Sequence, residues 1–167
     1  MVNSKKITED WIWSLLKDIP DPEVPVLTIT DLGVVRKVHL TEGLVNIDIT
    51  PTYTGCPAMK VFEDEIIKKL KLEGVESVKV NLVYAPAWTT DWIGEEAREK
   101  LRRYGIAPPV KGSADKGELF ATGRKIVRCP RCNKENTELR SQFGSTACKA
   151  LYFCKDCIEP FEYFKCI

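Results

Sequence analysis

The sequence predicts an α+β protein in two parts. A small mixed sheet covered by helices, in the order α-β-β-α-β-α, precedes a smaller all-β domain. Three observations lead there. Apolar residues before position 105 switch repeatedly between helical and alternating spacing. Six of the seven cysteines lie after position 128. Residues 125–167 carry eight Lys/Arg against five Asp/Glu, a net +3, while the rest of the chain stands at −2. These shifts divide the chain into a first domain at 1–106, a linker at 107–124 and a cysteine-rich domain at 125–167.

Thr8 is placed to cap a first helix, whose apolar residues Trp11 or Ile12, Leu15, Leu16 and Ile19 follow helical spacing. Pro20 stops it, and the prolines of Asp21-Pro22-Glu23-Val24-Pro25-Val26 enforce extended backbone. Asp31-Leu32-Gly33 reads as a turn into a strand from Val34 to Leu40. Thr41-Glu42-Gly43 joins it to a second strand, Leu44 to Thr50, as a hairpin. A helix from Cys56 to about Leu72 turns Met59, Phe62, Ile66 and Leu70 inward, with Asp64–Lys68 and Glu65–Lys69 pairs outside. Gly74 ends it. Val75 to Val83 is a third strand with Val78, Val80 and Leu82 inward. A last helix, Ile93 to Tyr104, presents Ile93, Ala97, Leu101 and Tyr104 on one face. The two prolines and three glycines of 107–123 have little periodicity and read as linker.

The 167 residues are 44% apolar and 29% charged, the composition of an ordinary globular protein. No run reaches the apolar length of a membrane span, and the first ten residues lack a signal-peptide core, so a cytoplasmic protein is expected. In that compartment seven cysteines point to metal or redox chemistry before disulfides. A net charge of +1 argues against a nucleic-acid footprint.

Cys56 stands at the junction of second strand and second helix, where an N-cap belongs, with Pro57 at the first helical position. The helix dipole and the unpaired N–H groups there favour thiolate, the form that attacks electrophiles or binds soft metals. Position alone leaves this reading level with a small buried apolar residue. Asp21 and Glu23, in the proline-held loop, could orient the thiol or a metal-bound water, or hydrogen-bond backbone in a turn. Thr52 and Thr54 could donate to the sulfur or finish the strand. Trp88 and Trp92 could dock a partner or cap the core. The lone His39 lies on a predicted strand and leaves Cys56 without an adjacent catalytic base.

In the tail, Cys129-Pro-Arg-Cys132 and Cys154-Lys-Asp-Cys157 are two knuckles separated by 21 residues. Two knuckles complete a tetrahedral thiolate site, so a zinc ribbon is expected, with rubredoxin-like iron the competitor. Its short strands fall at Lys125–Arg128, Thr137–Phe143, Ala150–Phe153 and Phe161–Lys165. So small a domain draws much of its folding energy from the metal. Cys148 and Cys166 are spectators or substitutes for a knuckle cysteine.

Asp21-Pro22-Glu23-Val24-Pro25-Val26 with Asp31-Leu32-Gly33-Val34-Val35 resembles the signature of the MIP18 (DUF59) domain, linked to iron–sulfur cluster assembly. Thr50-Pro51-Thr52-Tyr53-Thr54-Gly55-Cys56-Pro57 matches the second signature of that family. With Pro86 to Ile93, Lys100 to Pro109 and the four-cysteine tail, the chain is similar to the D-subunit family of the phenylacetyl-CoA ring-epoxidase system. The resemblance implies a non-catalytic accessory role in aerobic phenylacetate degradation, helping to mature or deliver a metal centre. It implies structural zinc, a transient iron or iron–sulfur cluster at Cys56, and oxygenase or reductase subunits as partners. A single cysteine is an incomplete site, so a second chain must supply further ligands, and a bridging cluster would suit a homodimer. A general iron–sulfur assembly factor, a nucleic-acid-binding zinc ribbon and a thiol enzyme are the alternatives.

Overall fold

The computed structural model describes residues 6–110 and 126–165 and resolves an α+β chain into two compact units, 1–88 and 89–167. In the first unit, α1 (Glu9–Leu16) is capped by Thr8, whose hydroxyl accepts from Trp11 N–H at 3.2 Å. β1 (Val35–Thr41) and β2 (Leu44–Ile49) pair antiparallel, with a bulge between Val35 and Lys37. α2 (Ala58–Leu72) then carries the chain to β3 (Val78–Leu82), which pairs parallel with β2. The sheet order is β1-β2-β3, and it is mixed as expected.

Helices α1 and α2 share one face of this sheet, α1 against β1, α2 against β3, and each against the other. Met59, Phe62, Ile66 and Leu70 are the buried stripe of α2, and Val38, Val45 and Ile47 are buried on the strands. Two details differ from expectation. Leu82 is 44% exposed, because the sheet ends at β3 and no further strand covers it among the described residues. Lys68 pairs with Glu65 at 3.4 Å, and Lys69 reaches Asp18 after α1 at 3.4 Å.

The second unit begins with a short 3-10 turn, Thr90–Trp92, followed by α3 (Glu95–Tyr104), which Gly105 ends at φ 94. Ile93, Ala97 and Leu101 are buried as expected, whereas Tyr104 is 59% exposed. β4 (Ile106–Ala107) packs with α3 and pairs parallel with β7 (Glu159–Phe164). The other strands are β5 (Thr137–Ser141) and β6 (Lys149–Cys154), giving the order β4-β7-β6-β5. Two expectations are corrected here. The last helix belongs by its contacts with the cysteine-rich unit, so the packing boundary falls after Trp88, not after Ile106. Ala107, expected to open a linker, is a strand residue, because its backbone is paired opposite Tyr163. Residues 111–124 of that linker lie outside the described residues. Ile126 to Arg128 form no strand, and Lys125 and Cys166 also lie outside the described residues. Tyr152, stacked on Phe161 at 5.8 Å and edge-on to Tyr163 at 5.7 Å, centres this unit's core.

Candidate functional site

Parallel strands β2 and β3 end side by side, the position where open sheets with crossover helices place their ligands. The Thr50 hydroxyl donates to Val83 O, and Val83 N–H donates to Ile49 O at 2.8 Å, fastening the two strand ends. From there the chain turns sharply into α2. Cys56 N–H donates to Tyr53 O at 3.2 Å, with Gly55 at φ 79 supplying the left-handed residue that such a turn needs. The N-cap of α2 is Pro57 and Ala58 its first residue, so Cys56, expected as the cap, sits one position ahead of it.

Cys56 is half-buried at this mouth. Its sulfur lies 3.9 Å from the Thr52 hydroxyl, which donates to it, and the Ala58 amide and Tyr53 side chain are near enough to act on its ionisation. Burial pushes the thiol above its ordinary value. The Ala58 amide and Thr52 hydroxyl pull it back, the nearby negative charge of Glu23 adds to the rise, and the Tyr53 hydroxyl opposes it. The net direction is upward, which corrects the expectation of a resting thiolate. Desolvation outweighs the amide and hydroxyl donors directed at the sulfur.

The two acidic candidates part company. Asp21 is 7% exposed and accepts from Glu23 N–H at 2.7 Å and Val24 N–H at 2.6 Å, closing the proline-held turn over buried Val24 and Leu27. Glu23 is half-buried and near enough to Cys56 for its charge to be felt there. Thr54 is exposed and is not among the groups that reach the sulfur. Trp88 is core: it is 7% exposed and donates from Nε1 to Leu32 O at 2.7 Å. Tyr53 is a neighbour of the sulfur that spacing alone did not single out. Its place in the turn closed by Cys56 N–H is the local signal for it.

In the second unit, Cys129, Cys132, Cys154 and Cys157 bring their sulfurs within 4.8 Å of one another. Cys129 and Cys157 are 3.7 Å apart, and Cys132 and Cys154 are 3.5 Å apart. A tetrahedral tetrathiolate site with ~2.3 Å metal–sulfur bonds needs sulfurs about 3.8 Å apart. The donor set therefore fits a structural metal. Both knuckles turn the same way, Asn133 and Ile158 each taking positive φ just after the second cysteine. Burial opposes ionisation of Cys154, but the Cys157 and Asp156 amides bring it down to about 7, while burial and its neighbours push Cys157 up to about 12. Cys148 is buried, its sulfur 3.1 Å from the Thr146 hydroxyl and outside the cluster.

Residues 9–82 match the iron–sulfur cluster assembly protein family, and residues 114–165 match the PaaD zinc beta ribbon domain. A protein of Escherichia coli (strain K12) named for the D subunit of 1,2-phenylacetyl-CoA epoxidase is 55% identical over 157 residues, 93% of this chain and 92% of its own. The chain belongs to the epoxidase D-subunit family. The Fe–S protein maturation auxiliary factor YitW of Bacillus subtilis (strain 168) is 37% identical, covering 54% of this chain and 89% of its own. Among solved structures, a DUF59 domain of unknown function from Bacillus anthracis matches with a TM-score of 0.52 at 28% identity. That match covers 56% of this chain and 90% of that one. The two matched families divide the chain as the chemistry does, a lone thiol in the first half and a tetrathiolate cluster in the second. Among the described residues, no helix is long and apolar enough to cross a membrane.

Proposed function

We propose that this chain is an accessory assembly factor of the phenylacetyl-CoA epoxidase system that takes up iron or an iron–sulfur cluster at Cys56 and passes it to another subunit. The observation that supports this most is the setting of Cys56: a half-buried sulfur at the strand mouth, with the Thr52 hydroxyl donating to it and Glu23 nearby. Among the described residues, the one group of three or more potential ligands sharing a point in space is the ribbon cluster. Cys56 therefore offers cargo a single strong ligand from this chain, and a recipient or a second copy would supply the rest. Such partial coordination suits a carrier that must let go. Zinc is the ion proposed for Cys129, Cys132, Cys154 and Cys157, where it would hold the ribbon and take no part in transfer. The relatives named as maturation factors support a chain that assembles a centre and does not itself oxidise substrate.

The test is anaerobic reconstitution of the full chain with iron and sulfide, followed by metal analysis of wild type and Cys56→Ala. The expected outcome is that the variant keeps one zinc and loses the iron. Iron retained at the wild-type level in Cys56→Ala would overturn the carrier reading.

A further inference from the structure

We propose that the ribbon carries a thiol switch. Hydrogen peroxide joins Cys129 to Cys157 and Cys132 to Cys154, which expels the metal while the two disulfides keep the ribbon closed. The inference rests on the metal proposed for these four cysteines and is independent of the reading of Cys56. Each knuckle presents one sulfur outward and one inward. Cys132 and Cys157 are half-buried, whereas Cys129 is 1% exposed and Cys154 0%, both within the core around Tyr152, Phe161 and Tyr163. Oxidation follows thiolate character and exposure, so the outward pair reacts first. Both short sulfur–sulfur contacts run between knuckles, each from an outward sulfur to an inward one. Cys157 faces Cys129 at 3.7 Å, and Cys132 faces Cys154 at 3.5 Å. A disulfide of ~2 Å asks each pair to close by a short side-chain movement once no metal separates them. The outward thiolate attacks hydrogen peroxide, an S–O bond forms, and the displaced hydroxide takes a proton and leaves as water. The inward sulfur then attacks the outward one. The S–S bond forms, the S–O bond breaks, and a second proton carries the hydroxide away as water. Each disulfide thus gives two electrons to one hydrogen peroxide, and two disulfides leave no thiolate to hold a divalent ion. The linked residues are 28 and 22 positions apart in sequence, against three within a knuckle. Such long cross-links restrain the unfolded chain and tie the two knuckles together, which links inside a knuckle do not.

The experiment uses the full chain holding one zinc, checked by metal analysis before oxidant is added. Hydrogen peroxide is titrated in without air, zinc release is followed with a chromogenic dye, and tyrosine dichroism is recorded in parallel. Free thiols are then alkylated and the disulfides mapped by peptide mass. The expected result is loss of one zinc per chain, with peptides linked Cys129–Cys157 and Cys132–Cys154. The near-ultraviolet dichroism of Tyr152 and Tyr163 should persist in the oxidised, zinc-free chain, while a reduced chain stripped to the same zinc content by a chelator loses it. Dithiothreitol with added zinc should return the metal. Links within the knuckles, Cys129–Cys132 and Cys154–Cys157, or dichroism lost on oxidation, would reject the inference, as would zinc retained against a large excess of oxidant. A chain with no zinc bound at the outset fails the metal reading first, and that failure is read before oxidation begins.

Discussion

Lys149 Nζ lies 3.2 Å from Glu162 Oε2, with only 6% of the lysine side chain exposed. The other oxygen of the same carboxylate accepts from Ser145 N–H at 2.8 Å. One carboxylate thus neutralises a buried ammonium and anchors the loop between β5 and β6. Partial burial opposes ionisation of Glu162, but the Ser145 hydroxyl and amide and the Lys149 charge outweigh it and hold the carboxyl below its ordinary value. A carboxyl depressed in the folded state adds stability that is complete above its unfolded value, near 4.5, and is lost as pH falls through the folded one. Melting in acid should therefore show a loss of ribbon stability below about pH 4.5 that Glu162→Gln lacks. At neutral pH, Glu162→Gln should cost about 2–3 kcal/mol by leaving the Lys149 charge less compensated. A variant that melts like wild type at pH 7 would show that the pair contributes nothing.

Arg98 is 5% exposed, and its guanidinium donates to three backbone carbonyls: Ile93 O at 3.0 Å, Thr90 O at 2.9 Å and Pro109 O. It laces the turn before α3 to the segment after β4. Arg98→Met removes the fork and strands three carbonyls, a loss of about 3 kcal/mol. Arg98→Lys should rescue little, because a point ammonium cannot serve three divergent acceptors. Denaturant unfolding of both variants checks this, and full rescue by lysine would overturn the fork argument.

Arg98 also marks where sequence reading stops. On an amphipathic helix an arginine beside Glu95, Glu96 and Glu99 reads as solvated, and nothing local signals that distant carbonyls surround it. Ile106–Ala107 was hidden for a related reason, since two residues carry no period and their pairing with β7 is purely tertiary. The first hairpin, the α2 stripe and the tetrathiolate cluster were legible because alternation, helical spacing and knuckle spacing are each written locally. Cys56 was legible as a candidate, but not in its protonation. Burial, which follows from packing, set the direction that the helix end alone would have reversed.

With a metal at the four cysteines, as proposed, the ribbon core should depend on it. Tyr152, Phe161 and Tyr163 pack among the buried cysteines Cys129 and Cys154. Removing the ion forfeits binding energy on the order of 10 kcal/mol for such sites, more than a small domain holds in reserve. Stripping the metal with a strong chelator, or substituting Cys154→Ser, should abolish the near-ultraviolet dichroism of the two tyrosines. Re-adding zinc to the chelated wild type should restore it. A spectrum unchanged after complete metal removal would show that the ribbon folds without the ion.

Ile158 holds φ 57 immediately after Cys157 and is 67% exposed. A β-branched side chain in the left-handed region is strained by about 1–3 kcal/mol, and this one recovers little of that by burial. The first knuckle meets the same backbone requirement, φ 61, with Asn133, a residue that tolerates it. Ile158→Asn should therefore stabilise the ribbon by about 1 kcal/mol, read as slower metal loss to a chelator and a higher thermal midpoint. The strain persists in the native chain because the knuckle, closed through Cys154 and Cys157 just before it, sets the backbone whatever residue follows. A variant that melts lower than wild type would show that the exposed isoleucine makes a contact worth more than the strain it carries.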